Sequence, residues 1–366
     1  MTPRAMDILG KSGVEFVMEQ GAGAAAAFPD SEFEERGARI VGERAEVFAA
    51  SDIILQVRTL GANPQAGRSD LRLFRKGQSL MGFGEPLVAA AEYAELADAG
   101  VTSFALELMP RITRAQSMDA LSSMATVAGY KAVLLAADAL PRMFPMLMTA
   151  AGTITPARVF VLGAGVAGLQ AIATARRLGA VVSAYDVRPA VKEQVESLGA
   201  KFIQVDLETA QAETKGGYAQ ALGEEFYGRQ RELLSEVVRQ QDVVITTAAV
   251  PGQKAPLLIT RDMIGRMAPG SVVVDLAAER GGNCELTKAD EQVVHNGVTI
   301  LGPTNLAGEV PVNASSLYAK NLLAFLETMI DKKEKALKVN WEDEIIKGTL
   351  VAKDGKIVHP SLLKGA

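Results

Sequence analysis

A strand-like run, three glycines and a distant acid form the constellation in this chain with the clearest chemical reading. The segment Arg158-Val-Phe-Val-Leu-Gly163-Ala-Gly165-Val166-Ala-Gly168 is followed by Ser183-Ala-Tyr-Asp186. In this pattern Gly163 permits the tight turn that leaves a strand. Gly165 lets a pyrophosphate approach the backbone and rest on the first amides of a helix that opens at Val166, and Gly168 lets that helix pack closely on the sheet. Asp186 lies 18 residues past Gly168, where a carboxylate can bond a ribose 2′-hydroxyl and repel a 2′-phosphate. Three glycines alone are a weak signal. Here β-branched residues precede them, and Leu169, Ile172, Ala173 and Leu178 follow in a helical pattern. The reading is a dinucleotide site; its alternative is a tight strand-to-helix turn beside an empty crevice. Asp186 argues for NAD(H). Arg188, two residues on, could meet a 2′-phosphate and keeps NADP(H) open.

Other candidate chemistry lies where strands should end. Arg111-Ile-Thr-Arg114-Ala-Gln116-Ser-Met-Asp119 follows Glu107-Leu-Met-Pro110, so two arginines, an amide and a carboxylate fall within nine residues. Strand ends of open α/β sheets face the ligand crevice. The same residues also suit a helix start, because Thr113, Ser117 and Asp119 can each bond free amides. Thr246-Thr247-Ala248-Ala-Val-Pro-Gly252 and Asp275-Leu-Ala-Ala-Glu279-Arg-Gly-Gly-Asn283 close two later strands. Small residues such as Thr247 and Ala248 would let a nicotinamide and its ribose lie against the backbone, whereas Asp275 could equally cap the next loop. His295 is expected in an exposed polar turn, and His359 stands near the C-terminus. A dehydrogenase acting on an alcohol or amine normally needs a proton acceptor, most often His or Lys. None is evident here, which suits hydride passing directly between two nicotinamides.

These groups need a scaffold, and the composition permits one. With 366 residues, 48% of them hydrophobic, the chain can bury the cores of two domains. The net charge of −5 leaves no electrostatic footprint for nucleic acid. One cysteine, Cys284, excludes an intramolecular disulfide, and with two histidines it leaves few ligands for a transition metal; no metal site is expected. The N-terminus shows no signal pattern, and no run is expected to span a bilayer: the most apolar region, 132–151, is broken by Asp138, Arg142 and two prolines. A soluble cytoplasmic protein is the expectation.

Strands are expected at 52–57, 78–82 and 101–106, with a helix at 86–99 between the last two, and at 14–18 after a helix at 5–11. This βαβ alternation implies a first doubly wound sheet. A long helix at 117–140 would cross between domains. A second α/β unit carries strands at 158–162, 181–186, 201–203, 242–246, 271–275 and 298–301. A helix at 313–330 would return to the first domain. Residues 345–352 and 356–358 flank Lys353-Asp-Gly355 as a hairpin. The polar stretch 208–228, with Gly216-Gly-Tyr218, reads either as a lid or as an ordinary solvated excursion.

Several runs closely resemble the NAD(H)-binding domain I, or alpha-1 subunit, of proton-translocating nicotinamide nucleotide transhydrogenase. They include Glu107-Leu-Met-Pro-Arg-Ile-Thr-Arg-Ala-Gln-Ser-Met-Asp119, Phe144-Pro-Met-Leu-Met-Thr-Ala-Ala-Gly-Thr153, the glycine segment with Asp186-Val-Arg188, Lys192-Glu-Gln-Val-Glu-Ser-Leu-Gly199, Gly216-Gly-Tyr-Ala219, Pro269-Gly-Ser-Val-Val-Val-Asp-Leu-Ala277, Gly281-Gly-Asn-Cys284 and Ala319-Lys-Asn-Leu322. The resemblance spans nearly the whole chain, and the Arg111–Asp119 run is its most specific portion. It implies two doubly wound Rossmann-like α/β domains with a nucleotide cleft between them, residues 1–125 with 310–366 forming the first and 126–309 the NAD-binding domain. It implies that Gln116 reaches toward NADP(H) on a partner component, while Arg111 and Asp119 place the nicotinamide. Ser122 matches a serine at the nicotinamide end, and Tyr218 the tyrosine of a mobile loop that closes over nucleotide. The implied partners are the NADP(H)-binding component, a membrane proton-channel component and a second copy of this chain, on the cytoplasmic face of the inner membrane.

The related alanine dehydrogenases are the rival resemblance. They use a lysine and a histidine on early strands, matched here by Arg58 and Phe83, and an aspartate matched by Glu279. Arginine does not give up a proton at working pH, and phenylalanine has none to give. The transhydrogenase family also opens with a strand before the helix that here starts near Thr2-Pro3, so the first domain is expected to lack that strand.

Overall fold

The computed structural model describes residues 1–204 and 224–363; the lid expectation at 208–228, with Tyr218, falls outside them except for 224–228, which open the helix Glu224–Val238. The chain divides into two compact units: Met1–Met124 with Pro311–Ala366, and Ala125–Val310.

In the second unit seven strands form one sheet. Their order is Lys201–Ile203, Val181–Tyr185, Arg158–Leu162, Val243–Thr246, Val272–Asp275, Val298–Leu301 and Gln292–His295. All neighbours are parallel except the last pair. Counted along the chain the first five strands run 3-2-1-4-5, so the winding reverses between Arg158–Leu162 and Val243–Thr246. A ligand crevice opens at that reversal in doubly wound folds. The sequence makes these strands because they are nearly continuous β-branched runs suited to burial on both faces. Alternate residues go to opposite sides, as the period of two demands. Val159, Val161, Val243, Ile245, Val272 and Val274 pack with Ala171, Ile172 and Ala175 of the helix Val166–Arg177. Phe160, Leu162, Val244 and Val273 pack with Leu234, Val238, Met263 and Ile264. Each of these Val, Ile, Leu, Phe and Met side chains contributes roughly 1.5–3 kcal/mol by leaving water.

In the first unit, Ile53–Arg58, Ser79–Phe83 and Thr102–Ala105 lie parallel, and Leu350–Lys353 joins antiparallel beside Thr102–Ala105. Phe16–Glu19 and Ala38–Val41 form a separate parallel pair. The returning helix spans Pro311–Leu326, and its Leu322, Phe325 and Leu326 bury against Met81, Phe104 and Leu106.

Four sequence expectations change. Residues 345–352 are not all strand: Glu344–Thr349 is helical, and only Leu350–Lys353 is extended. The Asp343 carboxylate accepts from the Ile345 N–H and starts the helix, and the Thr349 hydroxyl donates back to the Ile345 carbonyl. The hairpin turn holds, with Asp354 and Gly355 both at positive φ (52° and 78°). The helix expected from 86 begins only at Ala90. His295 is not in a turn but in a strand, half-buried, and Asn296-Gly297 makes the turn to Val298–Leu301. Finally, the helix Ala120–Ala139 is long and apolar enough to cross a bilayer by length and composition. Its Ala132, Val133 and Ala136 are fully buried in the core beside the parallel strands, while 33% of its apolar window is buried in all.

Candidate nucleotide site and its strand-end loops

The glycine turn is built as the spacing predicts. Gly163 has φ 95°, and its N–H donates to the Tyr185 carbonyl at 2.8 Å, tying the turn to the neighbouring strand. A Cβ on Gly168 would collide with the Gly163 carbonyl oxygen, so only glycine lets the helix come this close. Gly165 differs, since a Cβ there would meet nothing within 4 Å. Packing therefore does not require that glycine; it keeps open the space before the helix Val166–Arg177. Gly165 itself is the N-cap, and no side chain caps the helix, leaving the first-turn amides directed at that space. Such a helix start fits a pyrophosphate.

The Asp186 side chain is 6% exposed and receives the Ala164 N–H at 2.8 Å. The Arg188 guanidinium lies on the same carboxylate through Nε at 2.9 Å and Nη2 at 2.7 Å, and the Arg188 N–H donates to it at 2.9 Å.

On the other side of the turn, the Thr247 hydroxyl donates to the Gly163 carbonyl at 2.9 Å, and the Thr247 N–H to the Leu162 carbonyl at 2.8 Å. Ala248 is clasped by Asn283: its N–H donates to Asn283 Oδ1 at 3.0 Å, and Asn283 Nδ2 returns a bond to its carbonyl at 2.8 Å. Asn283 is held in turn by Asp275, which is fully buried. Asp275 Oδ1 accepts from the Thr246 hydroxyl and the Ala277 N–H, and Oδ2 from the Asn283 and Cys284 N–H groups and the Thr287 hydroxyl. Asp275 is thus the anchor of its own loop, the capping alternative read from sequence. The structure gathers Gly163, Gly165, Val166, Gly168, Asp186, Arg188, Thr247 and Ala248 around one turn.

In the first unit, Thr113–Met118 is a short 3-10 helix, and Arg111, Arg114 and Gln116 are exposed on it or just before it. Asp119 starts the helix Ala120–Ala139 by accepting the Ser122 N–H at 2.8 Å and the Ser122 hydroxyl at 2.6 Å. Two ties fix this loop. Arg114 makes a bidentate pair with Asp343 at 2.8 Å on each arm, and Asn321 Nδ2 donates to the Ser117 carbonyl at 2.9 Å. Arg111, Gln116, Asp119 and Ser122 therefore share one loop and helix start.

Known proteins share this architecture. The family model Alanine dehydrogenase/PNT, N-terminal domain matches residues 1–128, and Alanine dehydrogenase/PNT, C-terminal domain matches residues 132–360. The chain belongs to this family. It is 48% identical over 363 residues to an NAD(P) transhydrogenase subunit alpha chain of Rhodospirillum rubrum, covering 99% of this chain and 94% of that one. A crystal structure of transhydrogenase from Sinorhizobium meliloti aligns with TM-score 0.85 and 47% identity, covering 98% of this chain and 95% of the other. An alanine dehydrogenase of Halomonas elongata is 31% identical, covering 98% of this chain and 90% of its own length.

Within the family, the two positions at which the rival reading needs acid–base groups are neighbours. Arg58 and Phe83 stand opposite each other at the ends of two parallel strands. Arg58 Nε donates to the Ala62 carbonyl, and the Phe83 ring packs on Tyr318 with centroids 5.4 Å apart. Glu107, which sequence reading passed over, closes the next strand. Its Oε1 accepts from the Gly84 and Glu85 N–H groups, its Oε2 is buried without a hydrogen-bond partner, and burial pushes its carboxyl up to about 7. A lone glutamate carries no sequence mark of burial. Asn283 stands at the end of the Asp275–Asn283 run without a role of its own in the sequence, although two glycines before a loop amide signal a tight backbone turn.

Proposed function

We propose that this chain is the NAD(H)-binding component of a proton-translocating transhydrogenase, exchanging hydride directly with NADP(H) held on a partner component. The carrying observation is the pairing of a well-formed pyrophosphate and ribose turn with an exposed, firmly tied Arg111–Asp119 loop. The second unit's residues suit the dinucleotide: the first-turn amides beyond Gly165 for the pyrophosphate, Asp186 for the adenosine ribose, and the Thr247-Ala248 backbone for the nicotinamide end; the family likeness assigns Ser122 to that end as well. When bound, the nicotinamide supplies or accepts the hydride. Arg111 and Asp119 orient that end, and Gln116 reaches to the partner's nucleotide.

Catalysis on this reading is positioning, with no substrate proton to move. The transfer is Re/Si-specific, and the membrane helices and proton path belong to partner polypeptides, with this chain peripheral on the cytoplasmic face. A homodimer is included in the proposal. The hairpin Leu147–Thr149 and Gly152–Ile154 carries exposed Leu147, Met148 and Ile154 and offers an apolar surface for self-association.

The decisive experiment mixes the purified chain with an NADP(H)-binding component. Reduction of an NAD analogue by NADPH is expected only in the mixture, with deuterium carried from C4 without exchange into water. Alanine-dependent NAD reduction by the chain alone, or washout of the label, would refute the proposal in favour of an alanine dehydrogenase-like enzyme.

A further inference from the structure

The Asp186 carboxylate is saturated. Oδ1 takes the Arg188 N–H and Nε, each at 2.9 Å, and Oδ2 takes the Ala164 N–H at 2.8 Å and Arg188 Nη2 at 2.7 Å. A carboxylate offers about four lone-pair sites, so a ribose hydroxyl can bond this one only by sharing or displacing a donor. Two of the donors are backbone amides. The Ala164 amide follows Gly163, whose own N–H is tied to the Tyr185 carbonyl at 2.8 Å. The guanidinium is the donor on a flexible stem. The two side chains are 6% and 15% exposed, so water screens the pair weakly.

We infer that Arg188 is a specificity-determining residue of the nucleotide site: paired with Asp186, it cancels the charge that would repel a 2′-phosphate, and so limits the discrimination that the acid alone would impose. The inference rests on the proposed NAD(H) site. A bare carboxylate beside the ribose repels a phosphate through a poorly screened space, whereas a neutral Asp–Arg pair does not. When a ribose hydroxyl takes a place on Asp186, the guanidinium it displaces stays tethered two residues away, within reach of a 2′-substituent. Arginine suits this position because its planar fork matches carboxylate and phosphate alike.

NADH and NADPH differ only in the 2′-phosphate, so the ratio of their dissociation constants isolates this effect from any loss of fold or general affinity. Both are titrated against the full chain and four variants. In Arg188→Met the ratio Kd(NADPH)/Kd(NADH) is expected to rise at least about tenfold; in Arg188→Lys, which keeps the charge, it should stay within about threefold of the parent. Asp186→Ala removes the acid from beside the guanidinium but leaves its positive charge, and the ratio should fall about tenfold or more; adding Arg188→Met to Asp186→Ala should abolish most of that fall. An unchanged ratio in Arg188→Met, or an undiminished fall in the double variant, overturns the role of Arg188 while leaving the nucleotide site standing. Failure of the parent chain to bind either nucleotide overturns both.

Discussion

Replacing Asp275 by asparagine keeps the shape of the side chain and removes its charge, which makes it a sharp probe of the loop beside the glycine turn. The buried carboxylate accepts five hydrogen bonds, two on Oδ1 and three on Oδ2. An amide must turn one acceptor into a donor. The milder choice puts nitrogen at Oδ1, because the Thr246 hydroxyl can rotate to accept, but the Ala277 N–H then faces another donor. An unsatisfied buried N–H costs about 1–3 kcal/mol, and the three bonds on the other oxygen each lose roughly 1 kcal/mol of charge assistance. Relief from burying a charge offsets some of this, leaving a net loss of about 2–4 kcal/mol. Thr287→Val removes one bond from the same oxygen and should cost only about 1 kcal/mol. Because Asp275 holds Asn283, and Asn283 clasps Ala248, NADH affinity should fall together with stability in Asp275→Asn. Urea unfolding and NADH titration on the same preparations test this. A variant that loses less than about 1 kcal/mol and binds NADH like the parent would sink the argument that Asp275 holds the loop.

Gly165→Ala should leave stability within about 1 kcal/mol, since φ −76° is allowed and a methyl meets open space, yet NADH affinity should drop at least about tenfold because the methyl enters the pyrophosphate's approach. Equal NADH affinity would mean the space before the helix is not used. Gln116→Asn should slow single-turnover transfer on the order of a hundredfold with the partner present and hardly change NADH binding, because Gln116 is exposed and the fold does not lean on it; parallel losses in both would remove it from between the nucleotides. Glu107 has its carboxyl raised from 4.5 to about 7 by burial, so the native state holds a proton that the unfolded chain releases between those values. Its stabilising contribution is full below about 4.5 and is lost as pH rises through about 7, a change of roughly 3 kcal/mol. Glu107→Gln should therefore flatten the decline in stability from about pH 5 to about pH 8, and an unaltered decline would refute it.

The sequence was most legible where a residue type has one steric use. Gly163 at positive φ and Gly168 against a carbonyl oxygen admit no substitute, so their spacing announced the turn and the strand before it. It was less legible where a pattern serves two structures. Ile345-Ile346 followed by Leu350-Val351 reads as a strand by apolarity, and the half that became helix was settled by the Asp343 cap. The 111–119 run left capping and chemistry open. The structure gives capping to Asp119 through Ser122, while Thr113 and Ser117 cap nothing in the 3-10 helix they share, and Gln116 stays exposed. Least legible were partnerships made in three dimensions. Nothing in the letters Asp-Val-Arg tells whether Arg188 waits for a phosphate or lies on Asp186, nor that Arg114 is engaged by an aspartate 229 residues away.

The case for hydride exchange between two nucleotides over a substrate dehydrogenase finally turns on where protons can go. Reduction of an imine or a ketone requires a group that gives up or takes a proton beside the reacting carbon. At the strand ends of the first unit where the rival resemblance places such groups, Arg58 is bonded to a backbone carbonyl, Phe83 is stacked on Tyr318, and neither residue type is a proton acceptor at working pH. Burial pushes the nearby Glu107 carboxyl up to about 7, but Oε1 is spent on the Gly84 and Glu85 amides and Oε2 is buried. Its work is to hold the turn in which Glu85 takes φ 52°. By contrast, Arg111 and Gln116, proposed to act, are exposed side chains on a loop fixed at Arg114 and Ser117 and at the half-buried Asp119 cap. A rigid loop presenting an amide and an arginine can align two rings and has no proton to offer, which is what direct transfer asks of it.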